Sequence, residues 1–407
     1  MVSLVGPLYL PTFAVSLGVG MLVPVLPLYL RDGGLSYTAV TVVIAALGLG
    51  AVAGQLPAGA LIDRVGQIPL MVASVVVLAV ATALLGMTTV VAALVIFRVV
   101  AGAGTTGWLL SRQAFISTQV STGMRGRAAA TVGGTVRAAT LTGSLLGGWV
   151  ASRYGFTAAF AVSGAISLVG TVPYIWFREG PAPLGRRERV ARGPLLGVVR
   201  RHWSRLWPAG VVQLCVIAAR EGRLVVIPLL GAALGLDVAE VGILVAVGAA
   251  SDLLLFPLSG WLMDRFGRQA AIVPFLVIFG TGLVFAGLAT TPAWLVVAAG
   301  IVGFGNGLGA GTMLTMGADL APADDTNRFL SILGVTRESG RVVGPLVVGG
   351  VADAAGLSAS AIILGGVAFF AAFLVVTVLG DTGITGALEE STRRPYQPQS
   401  SERATES

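Results

Sequence analysis

The stretch Gly59-Ala60-Leu61-Ile62-Asp63-Arg64-Val65-Gly66 returns about half a chain later as Gly260-Trp261-Leu262-Met263-Asp264-Arg265-Phe266-Gly267. Each copy follows one long apolar run and precedes another. A charged segment at the same place in two apolar units points to internal duplication of a membrane module. Outward from these two anchors, the chain divides into twelve apolar runs of membrane-spanning length, each near 20 residues or longer. Six cover 4–30, 37–61, 69–88, 90–117, 128–153 and 156–177; six more cover 206–234, 238–263, 270–289, 294–320, 328–354 and 357–380. Lipid offers no partner for a bare backbone, so these runs are expected as helices: an all-α membrane protein of two six-helix bundles, 1–177 and 206–380. The first run is too long for a cleavable signal, and the second follows it directly.

Composition agrees. Of 407 residues, 55% are hydrophobic and only 11% charged, against roughly 25% charged in a soluble domain. So few charges leave most of the surface to lipid. The 57 glycines suit close helix contact in a membrane. There is no lysine, so all 26 basic residues are arginine. The single Cys215 has no intrachain partner, and the single His202 sits in a basic loop. With no Cys/His cluster, neither a metal nor another cofactor is expected.

The arginines set the orientation. Arg64, Arg125, Arg127, Arg265, Arg268, Arg328 and the 178–205 stretch share one side, whereas the other offers Arg31 and Arg153. By the positive-inside rule both termini and the 178–205 linker are expected in the cytoplasm, in a plasma-membrane protein. That asymmetry accounts for the basic balance of +7 without a nucleic-acid partner. The tail 381–407 is polar and expected to be disordered. Trp108, Trp149, Tyr154, Trp176 and Trp294 lie near run ends and are expected as interfacial anchors.

The repeated Gly-x-x-x-Asp-Arg-x-Gly resembles the cytoplasmic loop signature of the major facilitator superfamily. It falls between the second and third runs and between the eighth and ninth, as in that family. Arg98-Val-Val-Ala-Gly102-Ala-Gly104 resembles the family's Arg-x-x-x-Gly-x-Gly pattern in helix four. Gly143-Ser144-Leu145-Leu146-Gly147-Gly148 resembles its antiporter motif in helix five, with Ser144 in place of proline. Gly344-Pro345, followed by Gly349-Gly350, repeats the idea in helix eleven with one extra residue. Departures are Gln67, where the family often has a basic residue, and Ala299, where helix four has Arg98. The resemblance implies a secondary transporter working by alternating access. It implies that Gly59, Asp63, Arg64 and Gly66, with Gly260, Asp264, Arg265, Gly267 and Arg268, form a gate. Asp63 and Arg64 are expected at a tight turn, with Gly59 and Gly66 letting helices approach. A solvated turn obeying the positive-inside rule explains Arg64 and Arg265 equally well, but not the repeated Asp63 and Asp264.

Ionisable groups inside a membrane cost about 2.5–3.5 kcal/mol or more each on insertion scales, so they mark function by default. Arg98 lies about 12 Å into its run, and Arg220, Glu221 and Arg223 about 21–26 Å into theirs. Arg137, Asp252, Asn306, Arg337, Glu338 and Arg341 fall at comparable depths, while Arg112 is near enough to its helix end to snorkel. Seven arginines (98, 112, 137, 220, 223, 337, 341) face three carboxylates. The bland reading is that the carboxylates neutralise neighbouring arginines and hold helices together. The surplus of arginine points further, to an anionic or carboxylate-bearing substrate or a wet cavity. Glu221, Glu338 and Asp252 are the only carboxylates deep in these runs and are the expected proton carriers. A proton-coupled exporter of a small organic molecule, acting as a monomer, is the leading expectation. Import of a small organic anion, or a non-transporting receptor or scaffold on the same fold, are the alternatives. No nucleophile–base pair stands out for an enzyme. ATP-driven transport is excluded on motif grounds, because a Walker segment needs lysine.

Overall fold

The computed structural model describes residues 5–175, 195–322 and 324–380. Most of the 178–205 linker, Trp176 and the tail 381–407 lie outside those residues. Within them the secondary structure is helical throughout. A short π-helical segment (Val5–Tyr9) leads into α1 (Leu10–Asp32), α2 (Tyr37–Val65), α3 (Gln67–Leu85), α4 (Val91–Gln119), α5 (Thr122–Tyr154) and α6 (Phe156–Val169). A 3₁₀ turn, Val172–Ile175, closes this half. After the short α7 (Leu195–Arg201) come α8 (Trp203–Ala233), α9 (Val238–Phe266), α10 (Gln269–Gly287), α11 (Pro292–Leu308), α12 (Thr312–Leu320), α13 (Thr326–Ala355) and α14 (Leu357–Leu374).

Nine of the described helical segments are long and apolar enough to cross a membrane. The three longest helices, α5, α8 and α13 at 33, 31 and 30 residues, fall outside that set. In α8 and α13 the charged triplets Arg220/Glu221/Arg223 and Arg337/Glu338/Arg341 lower the hydropathy, and in α5 Arg, Thr and Gly do so. Three of the helices that carry buried charge are thus ones hydropathy alone does not select, whereas α4 with Arg98 and α9 with Asp252 are selected.

The duplication is written in the backbone. Gly34 and Gly235, Gly66 and Gly267, and Gly155 and Gly356 all have φ between +79° and +90°, and each pair is 201 residues apart. That region of φ is strained for L side chains, so each of these turns calls for glycine. The loop motifs are tighter than expected from sequence. Asp63 and Arg64 belong to the last turn of α2, Gly66 alone makes the corner, and α3 begins at Gln67. The second copy repeats this, with Arg268 between Gly267 and α10.

One expectation is overturned. The 294–320 run is not a continuous helix: it breaks between Leu308 and Thr312, with Gly311 in the left-handed region at φ +78°. Its counterpart α4 runs unbroken for 29 residues, so the two halves differ at this point. The sequence signal is Gly305-Asn306-Gly307-Leu308-Gly309-Ala310-Gly311, glycine at every second position.

Within each half, glycines bring helices into backbone contact. A Cβ on Gly102 would clash with the Leu47 carbonyl, one on Gly143 with that of Leu17, one on Gly147 with that of Met21, and one on Gly344 with that of Ala218. On Gly104 it would lie 2.8 Å from the Ser74 carbonyl oxygen. Gly260 is different, since a Cβ there would meet nothing within 4 Å; no close approach explains that glycine in this conformation.

The halves meet through α5 against α9 and α2 against α13. Contacts gather at the end opposite the loop motifs. A Cβ on Gly148 would lie 2.7 Å from the Val238 carbonyl oxygen and 3.0 Å from Gly242 Cα. Gly349 packs on Thr41. The Asp353 carboxylate, near the end of α13, accepts hydrogen bonds from the first backbone N–H groups of α2: Tyr37 at 3.0 Å and Thr38 at 2.8 Å. A carboxylate at a helix N-terminus satisfies orphan donors and complements the helix dipole. At the opposite end of α2, Leu56 is 87% exposed. Beside the loop motifs, α7 and the start of α8 reach the beginning of α13, where Arg201 and His202 stand 3.6 and 3.4 Å from Asp325.

Two outcomes follow from this packing. Gly102→Val forces α4 away from α2 and costs about 1–3 kcal/mol, seen as a lower unfolding midpoint of the purified protein, whereas Gly260→Ala leaves the midpoint unchanged. Asp353→Asn weakens the bond that joins the halves at the closed end. Cysteines placed on α2 and α13 near that end will then cross-link less completely than in the otherwise unchanged protein; equal cross-linking would show that Asp353 does not hold them.

Candidate functional site

A cavity of about 260 Å³ lies between the halves, walled by α1, α2, α4, α8 and α13, with Leu78 of α3. Most of its lining is aliphatic, including Leu22, Leu26, Ile44 and Leu47; its charged residues are Arg98, Glu221 and Arg341. Arg98 projects from α4, is 7% exposed, and its Nε has no hydrogen-bond partner. The opposing charge whose field reaches it is Glu221 on α8.

Glu221 begins a chain of alternating charge. Its Oε1 is 3.5 Å from Arg341 Nε, Arg341 Nη1 donates to Glu338 Oε2 at 3.1 Å, and Arg337 Nε donates to Glu338 Oε1 at 3.1 Å. The Glu338/Arg341 pair is the i,i+3 contact their spacing implies. The ion-pair partner of Glu221, by contrast, is Arg341 on another helix and neither Arg220 nor Arg223, its neighbours on α8. Glu338 is 3% exposed and held between two guanidinium groups.

A second cluster joins the halves through α5 and α9. Arg137 Nε donates to Asp252 Oδ1 at 3.0 Å, and Asn306 Nδ2 donates to Asp252 Oδ2 at 2.8 Å. Arg137 also lies over the Phe256 ring at 5.0 Å. Arg220 and Arg223 stand within the field of Asp252. Each rests on an aromatic ring, Arg220 on Phe275 at 4.6 Å and Arg223 on Phe279 at 5.8 Å. Such cation–π contacts stabilise a desolvated guanidinium without neutralising it. The Nε atoms of both arginines lack hydrogen-bond partners. The cluster therefore holds three guanidinium groups around Asp252, with Glu221 also within reach of Arg220 and Arg223.

The helix break completes this cluster. Breaking a helix frees carbonyl groups that lipid cannot satisfy. Gly309 O accepts from Arg220 Nη2 at 2.9 Å and from Thr312 Oγ1 at 2.9 Å, and Ala310 O accepts from Ser259 Oγ at 2.8 Å. The break and its partner Ser259 were not expected from sequence. Nor were the paired contacts beside the loop motifs: Arg268 Nε donates to Asp319 Oδ2 at 2.7 Å, and Thr118 Oγ1 donates to Gln67 Oε1 at 3.2 Å. Both pairs span 51 residues. The substitution of Gln67 for a basic residue is thus matched by Thr118 where the other half has Asp319. Asp264 also lies 3.8 Å from Arg268, while Asp63 and Arg64 are exposed.

Two expectations are corrected. Arg112 does not snorkel: it is 8% exposed and stacks on Trp108 at 4.3 Å. Trp108 is 6% exposed and belongs to the core, so it is no interfacial anchor, whereas Trp149 and Tyr154 are exposed.

A family model described as Major Facilitator Superfamily matches residues 8–219 and 209–404. An uncharacterized MFS-type transporter of Mycobacterium tuberculosis is 32% identical over 169 residues, 40% of this chain and 23% of that protein; the match thus spans about a quarter of that relative's length. Multidrug resistance protein MdtG of Salmonella typhimurium is 24% identical over 77% of this chain and 78% of its own. Among solved structures, a bacterial homolog of the human lysosomal transporter Spinster, inward-facing and occupied, aligns with TM-score 0.75 at 15% identity, covering 91% of this chain and 95% of the other. The nucleoside transporter NupG aligns with TM-score 0.73 at 14% identity, covering 91% and 98%. With its two halves in 201-residue register, charges buried between them, and a family match across nearly the whole length, this chain belongs to the Major Facilitator Superfamily of membrane transporters.

Proposed function

We propose that this protein exports a small amphipathic organic molecule bearing an anionic group, in exchange for protons, by alternating access. The observation that carries this reading is the composition of the central cavity. Aliphatic walls accept an apolar body, and Arg98, with an unpartnered Nε, offers a charged donor for an anionic end. Around it lie Arg341 and the carboxylates Glu221 and Glu338, already engaged with one another. A substrate anion that takes Arg341 from Glu221 frees that carboxylate to accept a proton, which links substrate and proton occupancy. The Arg137–Asp252 pair joins the two halves, so its charge state bears on how they move. Export is favoured over import by the likeness to a multidrug resistance protein.

The remaining features of the reading are twelve spans, cytoplasmic termini and a cytoplasmic 178–205 linker. With that orientation the end closed by Asp353 faces outward, and the cavity is poised toward the cytoplasm. The loop motif carrying Asp63 and Arg64 then clasps the halves in the opposite, outward-facing state. The carrier works as a monomer, without metal, cofactor or nucleic acid.

Transport by purified protein in liposomes with an imposed pH gradient tests coupling and direction together, screening organic anions against lipophilic cations. Glu221→Gln is expected to leave substrate exchange intact while abolishing accumulation against a gradient, and Asp252→Asn is the next variant for the same assay. If both fold and still drive pH-dependent accumulation, proton coupling through these carboxylates is wrong. Orientation is read separately. A cysteine introduced within 181–195, in a Cys215→Ala background, is expected to react with an impermeant reagent only after the membrane is opened; labelling from outside intact cells overturns the topology.

A further inference from the structure

The N-terminal half contains a buried cation that the central cavity does not use. Arg112 sits on α4 seven residues before Gln119, about 10 Å inside that end of the helix. Its guanidinium covers the face of Trp108, yet its Nε and Nη1 have no hydrogen-bond partner. A cation–π contact engages the flat face of the guanidinium and leaves its N–H edges unmet.

Among the described residues, no carboxylate lies within ion-pair distance of Arg112. Residues 5–175 contain two, Asp32 and Asp63, the first at the end of α1 and the second in the last turn of α2. The titratable group whose field reaches Arg112 is the Tyr174 phenol. Trp108 and Tyr174 belong to one apolar cluster, with Tyr9 packed against it. The segment Val5–Tyr9 touches Val172–Ile175, bringing the start of α1 to the end of the α6 half. In this neighbourhood four more buried polar atoms lack partners: Trp108 Nε1, Ser111 Oγ, Tyr174 Oη and Tyr9 Oη.

A guanidinium and an indole N–H can only donate, and the three hydroxyls can each donate. Water alone would leave the guanidinium charge uncompensated in a low-dielectric interior. A single anion with several acceptor oxygens supplies both the countercharge and the acceptors that such donors lack.

We propose that Arg112, Trp108, Ser111, Tyr174 and Tyr9 form a binding site for one oxyanion of phosphate type, within the N-terminal bundle and apart from the central cavity. The anion arrives either as free phosphate or as the headgroup of an anionic lipid. It enters from the end where α1 begins and α4 and α6 finish, which is the loop-motif end.

Native mass spectrometry on the delipidated full-length protein tests this, with inorganic phosphate, phosphatidylglycerol and phosphatidylcholine as separate probes. One saturable equivalent of phosphate or phosphatidylglycerol is expected. Arg112→Gln should weaken it about tenfold or more, and Tyr174→Phe or Ser111→Ala by a smaller factor. Uptake of phosphate identifies a free-ion site; uptake of phosphatidylglycerol alone identifies a headgroup site. If the unaltered protein takes up neither, if phosphatidylcholine binds as tightly as phosphatidylglycerol, or if Arg112→Gln binds unchanged, the proposal is wrong. Should Arg112→Gln fail to fold, unchanged affinity in both Tyr174→Phe and Ser111→Ala overturns it instead.

Discussion

A charge within a membrane protein must be compensated by the protein itself, because lipid offers neither water nor counter-ions. The arrangement of α5, α8, α9 and α13 follows from that constraint. Glu221 finds Arg341 across a helix interface, Glu338 is enclosed by Arg337 and Arg341, and Asp252 is shared by Arg137 and Asn306. Where no carboxylate remains, aromatic rings and backbone carbonyls take over, as Phe275 and Gly309 O do for Arg220. These substitutes leave the cationic charge in place.

The same constraint limits how the two halves can join. Apolar surface gives little drive for helix association in lipid, so contact depends on small residues that let backbones touch. Gly148 on α5 and Gly242 on α9 supply such a contact between halves, and Gly349 on α13 against Thr41 on α2 supplies another. Added to these are directional interactions, the Asp353 carboxylate on the first N–H groups of α2 and the Arg137–Asp252 pair.

The halves are related by a 201-residue register, yet they have diverged where chemistry is concentrated. Arg98 faces the cavity from an unbroken α4, whereas the equivalent position in α11 is Ala299, in a helix that breaks a few turns later. The break frees two carbonyls that hold Arg220 and Ser259 in place. One half thus contributes an unpartnered cation to the cavity. The other contributes the carboxylates Glu221, Asp252 and Glu338, each engaged with arginine.

The pattern of apolar runs and the repeated Gly-x-x-x-Asp-Arg-x-Gly were enough, by themselves, to establish a duplicated all-helical membrane protein, because lipid leaves no alternative for long apolar segments. They also identified the buried charges, since each stands out against an apolar background. Which charges pair was legible only within one helix turn, as for Glu338 and Arg341. The choice of Arg341 for Glu221 and of Asp252 for Arg137 depended on how helices distant in sequence pack. Spacing along a helix sets a residue's direction, but only the packed bundle sets what lies opposite it. The break in the 294–320 run and the Asp353 cap belong to the same class, because each takes its partners from other helices.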